Sequence, residues 1–194
     1  MAKKRSSLLI FIGIIALLLI WMVVAYNSLI KKDEKVTFQW NEVQNAYQRR
    51  LDLIPNIVNT VKGGAEYEQN VLREVTEARS NAQRITVSGV NANAYAQQSA
   101  AQDALASAAN RLIIAVERYP DIKGTRAFRD LQTQLEGTER RIKVARVDFN
   151  ESVADYNSSV RRFPTKIVAG LFSFPAKEGF QSVAGADKSV EIKF

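Results

Sequence analysis

The chain begins with an uninterrupted apolar run. Residues 8–25 contain no charged side chain, and at ~1.5 Å per residue such a helix spans ~27 Å, close to the ~30 Å hydrocarbon core of a bilayer. Aromatic rings favour the membrane interface, and two lie near the C-terminal end of the run. We therefore predict a transmembrane helix over residues 8–26, preceded by a short basic tail of residues 1–7. Representative membrane-spanning positions are Leu8, Gly13, Ala16, Trp21 and Ala25.

A cleaved secretory signal is the competing interpretation, because Val23-Val24-Ala25 resembles a cleavage site. The run is long for a signal core, which favours a retained anchor. Positive flanks tend to stay in the cytoplasm. With the N-terminal amino group included, the cations before the run outnumber those after it by one, and Asp33 and Glu34 partly offset the latter. This favours a cytoplasmic N-terminus and an extracytoplasmic body. The flanking cations are Lys3, Lys4 and Arg5, then Lys31, Lys32 and Lys35.

Four later stretches have apolar residues at spacings of three and four, the period of an amphipathic helix. They cover residues 36–61, 67–82, 93–118 and 128–163. The last has a mean spacing of ~3.5 residues, which is typical of a left-handed supercoil. Its positions are Phe128, Leu131, Leu135, Thr138, Ile142, Ala145, Phe149, Ser152, Tyr156, Ser159 and Phe163. We predict an all-α fold, an elongated antiparallel bundle of about four helices over residues 27–164.

The membrane helix is expected to continue into this bundle. Neither Gly nor Pro occurs between Ala25 and Pro55, so the chain can be helical throughout that stretch. At Pro55 the first helix is expected to kink or restart, because proline removes one backbone hydrogen bond. Residues 63–64 and 88–91 contain glycines typical of turns, and Pro120 and Pro164 end the third and fourth helices.

The C-terminal segment, residues 165–194, differs from the bundle. Its apolar part, residues 167–174, is too short to cross a bilayer. It either caps the end of the bundle or contacts a neighbouring subunit or the bilayer surface. The residues that would make such a contact are Ile167, Leu171, Phe172 and Phe174. The final residues, 190–194, alternate like a strand.

Composition excludes several classes of function. The net charge is +7, but five of the 27 basic residues precede residue 33, which leaves 22 against 20 acidic ones in residues 33–194. Nucleic-acid binding needs clustered cations, so no nucleic-acid partner is expected. The chain contains neither Cys nor His. It therefore lacks thiolate nucleophiles and cysteine metal ligands, and it lacks histidine, the usual general base near neutral pH and the commonest metal ligand. We predict no catalytic residue, no metal and no cofactor, and interpret the carboxylates of Glu136 and Glu139 as part of a solvated face.

Short motifs between residues 26 and 164 resemble the bacterial LemA family. The most extended one is Gln48-Arg49-Arg50-Leu51-Asp52-Leu53-Ile54-Pro55-Asn56-Ile57-Val58, and others include Glu77-Ala78-Arg79, Tyr119-Pro120-Asp121 and Phe163-Pro164. The resemblance implies a single membrane anchor, a helical-bundle body, no established enzymatic activity and a link to membrane organisation, including organelle membranes of magnetic bacteria. The chain departs from the family at Gly64, where an aromatic residue is common, and at Tyr67, near a position that is often His.

The extended motif also supplies the candidate docking residues. Arg49 and Asp52 are three positions apart and can pair on one helix face, either as a surface ion pair beside a kink or as a partner-docking corner. The candidates are Arg49, Arg50, Asp52, Pro55 and Asn56. The expected function is a scaffold in the bacterial inner membrane that self-associates to organise or shape the bilayer. The alternative is an envelope adaptor or sensor that presents its bundle to another membrane protein, such as a protease or signalling protein.

Overall fold

The computed structural model describes residues 2–62, 69–85 and 92–180, with side chains in 10–62, 69–85 and 93–180. Within these ranges the chain forms helices and no strand, which confirms the all-α prediction. The helices are α1 (Ala2–Lys62), α2 (Gln69–Arg84), α3 (Ala92–Val116), α4 (Pro120–Lys123), α5 (Arg126–Arg161) and α6 (Thr165–Leu171). The turns predicted at residues 63–64 and 88–91, Tyr67 and the strand-like tail at 190–194 lie outside the described residues.

Helix α1 continues without a break from the apolar run into the bundle. Its 61 residues extend about 90 Å at ~1.5 Å per residue. Most apolar side chains between Ile10 and Val24 are exposed, and burial begins at Ala25 and Leu29. A helix that is apolar all round needs a protein core or a membrane around it. Only 6% of the most apolar stretch of α1 is buried inside the protein. Helix α1 is therefore long and apolar enough to cross a membrane.

Contacts between side chains show the direction of the helices. Helices α1 and α5 are antiparallel along their length, and α3 runs parallel to α1. Helix α2 packs on α1 and α3, and α6 packs on α1 and α5. The pairs that establish these directions are Lys32–Asp155 and Arg50–Glu139 between α1 and α5, and Gln44–Gln98 and Arg50–Gln102 between α1 and α3. The antiparallel bundle is thus confirmed.

The bundle has two buried apolar clusters. The proximal cluster, nearer the apolar run, contains Leu29, Val36, Trp40, Tyr47, Phe149, Tyr156 and Val168 among others. The distal cluster contains Ile54, Val58, Val75, Leu105, Leu112, Phe128 and Leu135 among others. Helices α1 and α5 contribute to both clusters, so this pair of helices extends along the whole elongated body.

The buried stripe on α5 differs from the predicted seam at its C-terminal end. Phe163 lies beyond the helix and is 77% exposed, whereas Val153 and Val160 are buried. A straight helix with 3.6 residues per turn drifts ~20° per heptad from a 3.5-residue repeat, which amounts to about one residue over five heptads. The prediction of a buried Phe163 was therefore wrong, and the supercoil stays a prediction.

Residues 174–180, which we call the C-terminal strap, follow α6 and pack along α1 and α5. Asn157 accepts from the Lys177 amide (2.8 Å) and donates to its carbonyl oxygen (2.7 Å). Asn150 does the same with Phe180 (2.8 and 3.2 Å). The two asparagines are seven residues apart on α5, a rise of ~10.5 Å, and their partners Lys177 and Phe180 are three residues apart on the extended strap, a span of ~10 Å. The two spacings match, so both asparagines can bind the strap at once. The strap thus belongs to the folded body.

Candidate docking groove

A hydrogen-bonded polar layer lies where the two apolar clusters meet. Gln44 and Gln98 exchange amide hydrogen bonds in both directions (2.7 and 2.8 Å). Nearby, Arg50 donates from Nη1 to the backbone oxygen (2.9 Å) and Oε1 (3.1 Å) of Gln102, and from Nη2 to the Glu139 carboxylate. Among the described residues, Arg50 Nε and Gln102 Nε2 are buried without a hydrogen-bond partner, and any other register of α1, α3 and α5 would leave more buried polar groups unpaired, which is costly.

The structure corrects the expectation that Arg50 belongs to an exposed docking corner. Arg50 is 1% exposed and its guanidinium lies inside the bundle. Its position explains the burial, because it follows Tyr47 by three residues and precedes Ile54 by four, and both of these are buried. Arg49 and Asp52 lie on the exposed face of the same helix. A partner can contact those two residues but not Arg50.

A second polar contact joins all three helices beside this layer. Arg146 donates from Nε to the Tyr47 hydroxyl (2.9 Å) and from Nη2 to the Asp103 carboxylate (3.0 Å). Burial disfavours the charged guanidinium, but Tyr47 and Asp103 outweigh it and raise the pKa of Arg146. Burial also raises the pKa of Tyr47. Both side chains therefore keep their ordinary protonation states at neutral pH, and neither is arranged as an acid or base.

Helix α1 passes through Pro55 without a break, so the helix does not restart there. Proline has no N–H and its ring pushes against the carbonyl four residues earlier, here that of Leu51. Arg79 of α2 donates from Nε to that carbonyl oxygen at 2.9 Å. The arginine thus replaces the hydrogen bond that Pro55 removes. Two separate family-like motifs are thereby joined in one contact.

The open side of the α1–α5 pair forms a groove, which we call the docking groove. Its first part has a volume of about 480 Å³ and its second part, which shares Asn45 and Arg49, about 370 Å³. The charged lining residues are Glu42, Arg49, Asp52, Arg141 and Asp148, and the polar ones include Asn45, Gln48, Asn56 and Gln134. This mixed-charge lining suits a protein surface of mixed charge.

Three of the five candidate docking residues line this groove: Arg49, Asp52 and Asn56. Asp52 accepts a hydrogen bond from Gln48 Nε2 (2.8 Å), one turn earlier on α1. Within the described residues, no ion pair joins Asp52 to Arg49, so the expected pair is absent there. The Arg49 guanidinium is therefore exposed in the groove.

The paired carboxylates do not form a site. Glu139 binds Arg50, whereas Glu136 accepts from Gln132 on the exposed face (3.1 Å). Among the described residues, no group of three or more His, Cys, Asp or Glu side chains is placed to hold a metal ion.

The C-terminal candidates separate into two environments. Ile167, Leu171 and Phe172 are exposed at 57%, 64% and 46%. Phe174 is half-buried, with its ring centroid 5.7 Å from that of Tyr26.

Sequence reasoning missed the polar layer and the bond from Arg79 to Leu51. A signal for the layer existed, since Gln98 and Gln102 are four residues apart and therefore lie on one face of an Ala-rich helix. For the Arg79 bond, the signal was that a helix with an internal Pro55 must present one free carbonyl to a neighbour.

Comparison with known proteins gives consistent relatives. MamQ 2, a magnetosome protein of Paramagnetospirillum magneticum, is 23% identical over 203 residues, which cover 95% of this chain and 73% of the relative. MamQ of Magnetospirillum gryphiswaldense, also a magnetosome protein, is 21% identical over 211 residues, which cover 98% of this chain and 78% of the relative. The protein LemA of Metamycoplasma hominis is 24% identical over 86% of this chain and 74% of its own.

None of these names describes a catalytic activity. Together with the exposed apolar part of α1, the relatives indicate a membrane location for this protein. The sequence model of the LemA family matches residues 39–194, four-fifths of the chain, and the protein therefore belongs to the LemA family.

Proposed function

We propose that this protein is a non-enzymatic scaffold that self-associates side by side to organise or shape the bacterial inner membrane. Helix α1 anchors it, with the N-terminus in the cytoplasm and the body outside. The observation that carries the proposal is the unbroken helix from the apolar run to Lys62. Because one rigid helix enters both lipid and bundle, a lateral contact between bundles would also set the spacing and tilt of the spans.

The docking groove is the surface proposed for these lateral contacts. It follows the axis of α1 and α5 and presents cations and anions along its length. Individual exposed ion pairs contribute only ~0–1 kcal/mol, so each contact is weak. Anchoring in one membrane raises the effective concentration, so many weak contacts yield stable rows of rods. The relatives named as magnetosome proteins support a role at organised membranes.

Mass measurement of single particles in lipid nanodiscs or vesicles tests self-association. The wild type should form defined multimers, and Arg49→Glu should reduce them because it reverses one charge of the groove without touching the core. Arg73→Glu is the matched control, since Arg73 is another exposed arginine, on α2, with a 3.7 Å contact to Glu77. A clean monomer of the wild type at micromolar concentration would contradict the proposal.

A second variant separates docking from folding. Asp52→Ala removes a groove carboxylate whose one hydrogen bond within the described residues comes from the Gln48 amide. Loss of assembly with an unchanged melting temperature supports the groove as the contact. Equal loss of assembly and of thermal stability would mean that Asp52 acts through the fold.

The alternative function is an adaptor or sensor that presents the docking groove to another membrane protein. The observation that supports it is the set of charges lining the groove around Arg49, which a different protein can complement as well as a second copy. Cross-linking from the groove in intact cells discriminates the two. A stoichiometric partner other than this chain, without self-association, would establish the adaptor.

The proposed orientation has its own test. The chain contains no cysteine, so a single cysteine added after Phe194 is the only site for a thiol reagent. An impermeant maleimide should label it in cells whose outer membrane alone is opened. Labelling only after the inner membrane is permeabilised would reverse the orientation.

A further inference from the structure

Helix α6 lies beside the last turns of the apolar run. Tyr26 immediately follows that run, and its ring centroid is 4.8 Å from that of Phe172. Trp21 and Met22 pack against the proximal cluster, which includes Val168 and Ala169 of α6. These two residues are half-buried, whereas their neighbours Val23 and Val24 are 59% and 62% exposed. The folded body therefore reaches down to the level where α1 enters the apolar span.

The outer face of α6 is apolar and uncovered. Val168 and Ala169 are 0% and 3% exposed and fasten the helix to the bundle. On the opposite face, Ile167 and Leu171 are one turn apart and mostly exposed, and Phe172 follows them. Phe163, just before the helix, is the most exposed of the large apolar side chains outside the span, at 77%. Such a concentration of exposed apolar side chains marks an interaction surface.

Basic residues surround this face. Arg161, Arg162 and Lys166 precede or begin α6 and are exposed. On the neighbouring part of α5, the hydrogen bond from Lys32 lowers the pKa of Asp155, with further lowering by the charges of Lys35 and Arg162. The three cations Lys32, Lys35 and Arg162 therefore lie near this one carboxylate. Exposed apolar side chains framed by Lys and Arg are the pattern of interfacial helices on anionic membranes.

We propose that α6 and Phe163 form a second membrane contact, a foot that inserts into the headgroup region of the bilayer that α1 spans. Its occupant is lipid rather than a second copy, because the face is continuous with the end of the apolar run. Interfacial helices bury their apolar face ~5–10 Å into the headgroup and acyl boundary. Phosphate oxygens of anionic lipids bind Arg161, Arg162 and Lys166. With α1 spanning the bilayer and α6 resting on its surface, the bundle has two membrane contacts, and together they fix its tilt on the membrane.

The test uses the cysteine-free full chain with one fluorophore. An environment-sensitive dye is attached at Leu171→Cys, and at Val144→Cys as the matched control, since Val144 is a 53% exposed valine in the docking groove away from α6. Each protein is placed singly in nanodiscs of phosphatidylcholine and phosphatidylglycerol that contain lipids brominated near the headgroup. The foot predicts blue-shifted emission and severalfold stronger quenching at residue 171 than at residue 144.

Two further arms identify the lipid and the face. Replacing phosphatidylglycerol by phosphatidylcholine should reduce the quenching at residue 171, because the cations lose their anionic partners. Ile167→Gln with Phe172→Gln should reduce it as well, while far-UV circular dichroism stays unchanged. A drop in helicity would move the test to Lys166→Gln, which leaves the buried face intact and should also weaken quenching.

The foot rests on the membrane anchor and not on self-association, which single occupancy of each nanodisc removes. Equal, weak quenching at residues 171 and 144 overturns it. Blue-shifted emission that is absent from singly occupied nanodiscs and develops only in vesicles at high protein density, without quenching by brominated lipid, also overturns it and shows that a second copy covers α6.

Discussion

The hydrogen bond from Arg79 to the carbonyl of Leu51 should be coupled energetically to Pro55. Removing the guanidinium with Arg79→Ala leaves a buried carbonyl with no donor, because Leu51 is 6% exposed and residue 55 has no N–H. In Pro55→Ala the new amide N–H can donate to that carbonyl within α1. The arginine should therefore matter less once the proline is gone.

The magnitudes follow from the charge and burial of the bond. A hydrogen bond from a charged donor contributes ~1.5–3 kcal/mol, and Arg79→Ala should lower the free energy of unfolding by about 2 kcal/mol. At ~2–4 °C per kcal/mol for a chain of this size, its melting temperature should fall by about 4–8 °C. In the Pro55→Ala background the same change should cost about 1 kcal/mol or less, which gives a coupling of about 1 kcal/mol.

Urea or thermal unfolding of the four proteins of this cycle, in one detergent, measures the coupling. Arg73→Ala is the control for loss of an arginine from α2, because its side chain is 72% exposed, and it should change the free energy of unfolding by less than ~0.5 kcal/mol. Strictly additive effects of Arg79→Ala and Pro55→Ala would refute the reasoning and reduce Arg79 to a packing residue.

Three further predictions concern the C-terminal strap and Tyr156, whose hydroxyl donates to the Pro175 carbonyl oxygen of the strap (3.0 Å). Asn157→Ala removes two neutral hydrogen bonds. At ~1 kcal/mol per bond, amide exchange in the strap should accelerate roughly thirtyfold, and unchanged exchange would show that the strap is held otherwise. Gly179→Ala places a Cβ 2.6 Å from Asn150 Oδ1 and should make the strap accessible to protease. In the control Gly170→Ala, the new Cβ meets nothing within 4 Å, so the strap should stay protected. Equal digestion of both variants would contradict the close fit at Gly179. Burial, with a contribution from Asp33, raises the pKa of Tyr156 to about 12, so the folded state binds its proton more tightly. The contribution of Tyr156 to stability should therefore be constant below pH ~10 and be lost as the pH rises toward 12. The alkaline loss of stability should be less steep in Tyr156→Phe, and identical alkaline profiles would exclude this tyrosine.

The regular part of the fold was predictable because periodic patterns report burial directly. Apolar spacings of three and four located α1, α3 and α5, and the lack of Gly and Pro before Pro55 predicted one continuous helix. The same pattern placed Phe163 in the seam, and this failed because a 3.5-residue repeat extrapolated over ten steps accumulates a shift of about one residue.

The candidate site was predicted only in part, because sequence does not show which polar side chains point inward. Arg50 was grouped with its exposed neighbours although its spacing from Tyr47 and Ile54 marks the buried face. The strap has no period at all, and its two asparagine anchors on α5 look like ordinary surface residues until the chain folds back on them.

Amide exchange across residues 26–36, measured on the full chain in nanodiscs, tests most directly whether span and bundle are one helix. The account predicts slow exchange there, comparable to that of residues 40–54 in the body of the bundle. Exchange at the rate of an unstructured chain would show a flexible joint, and lateral contacts between bundles would then have no means of orienting the spans.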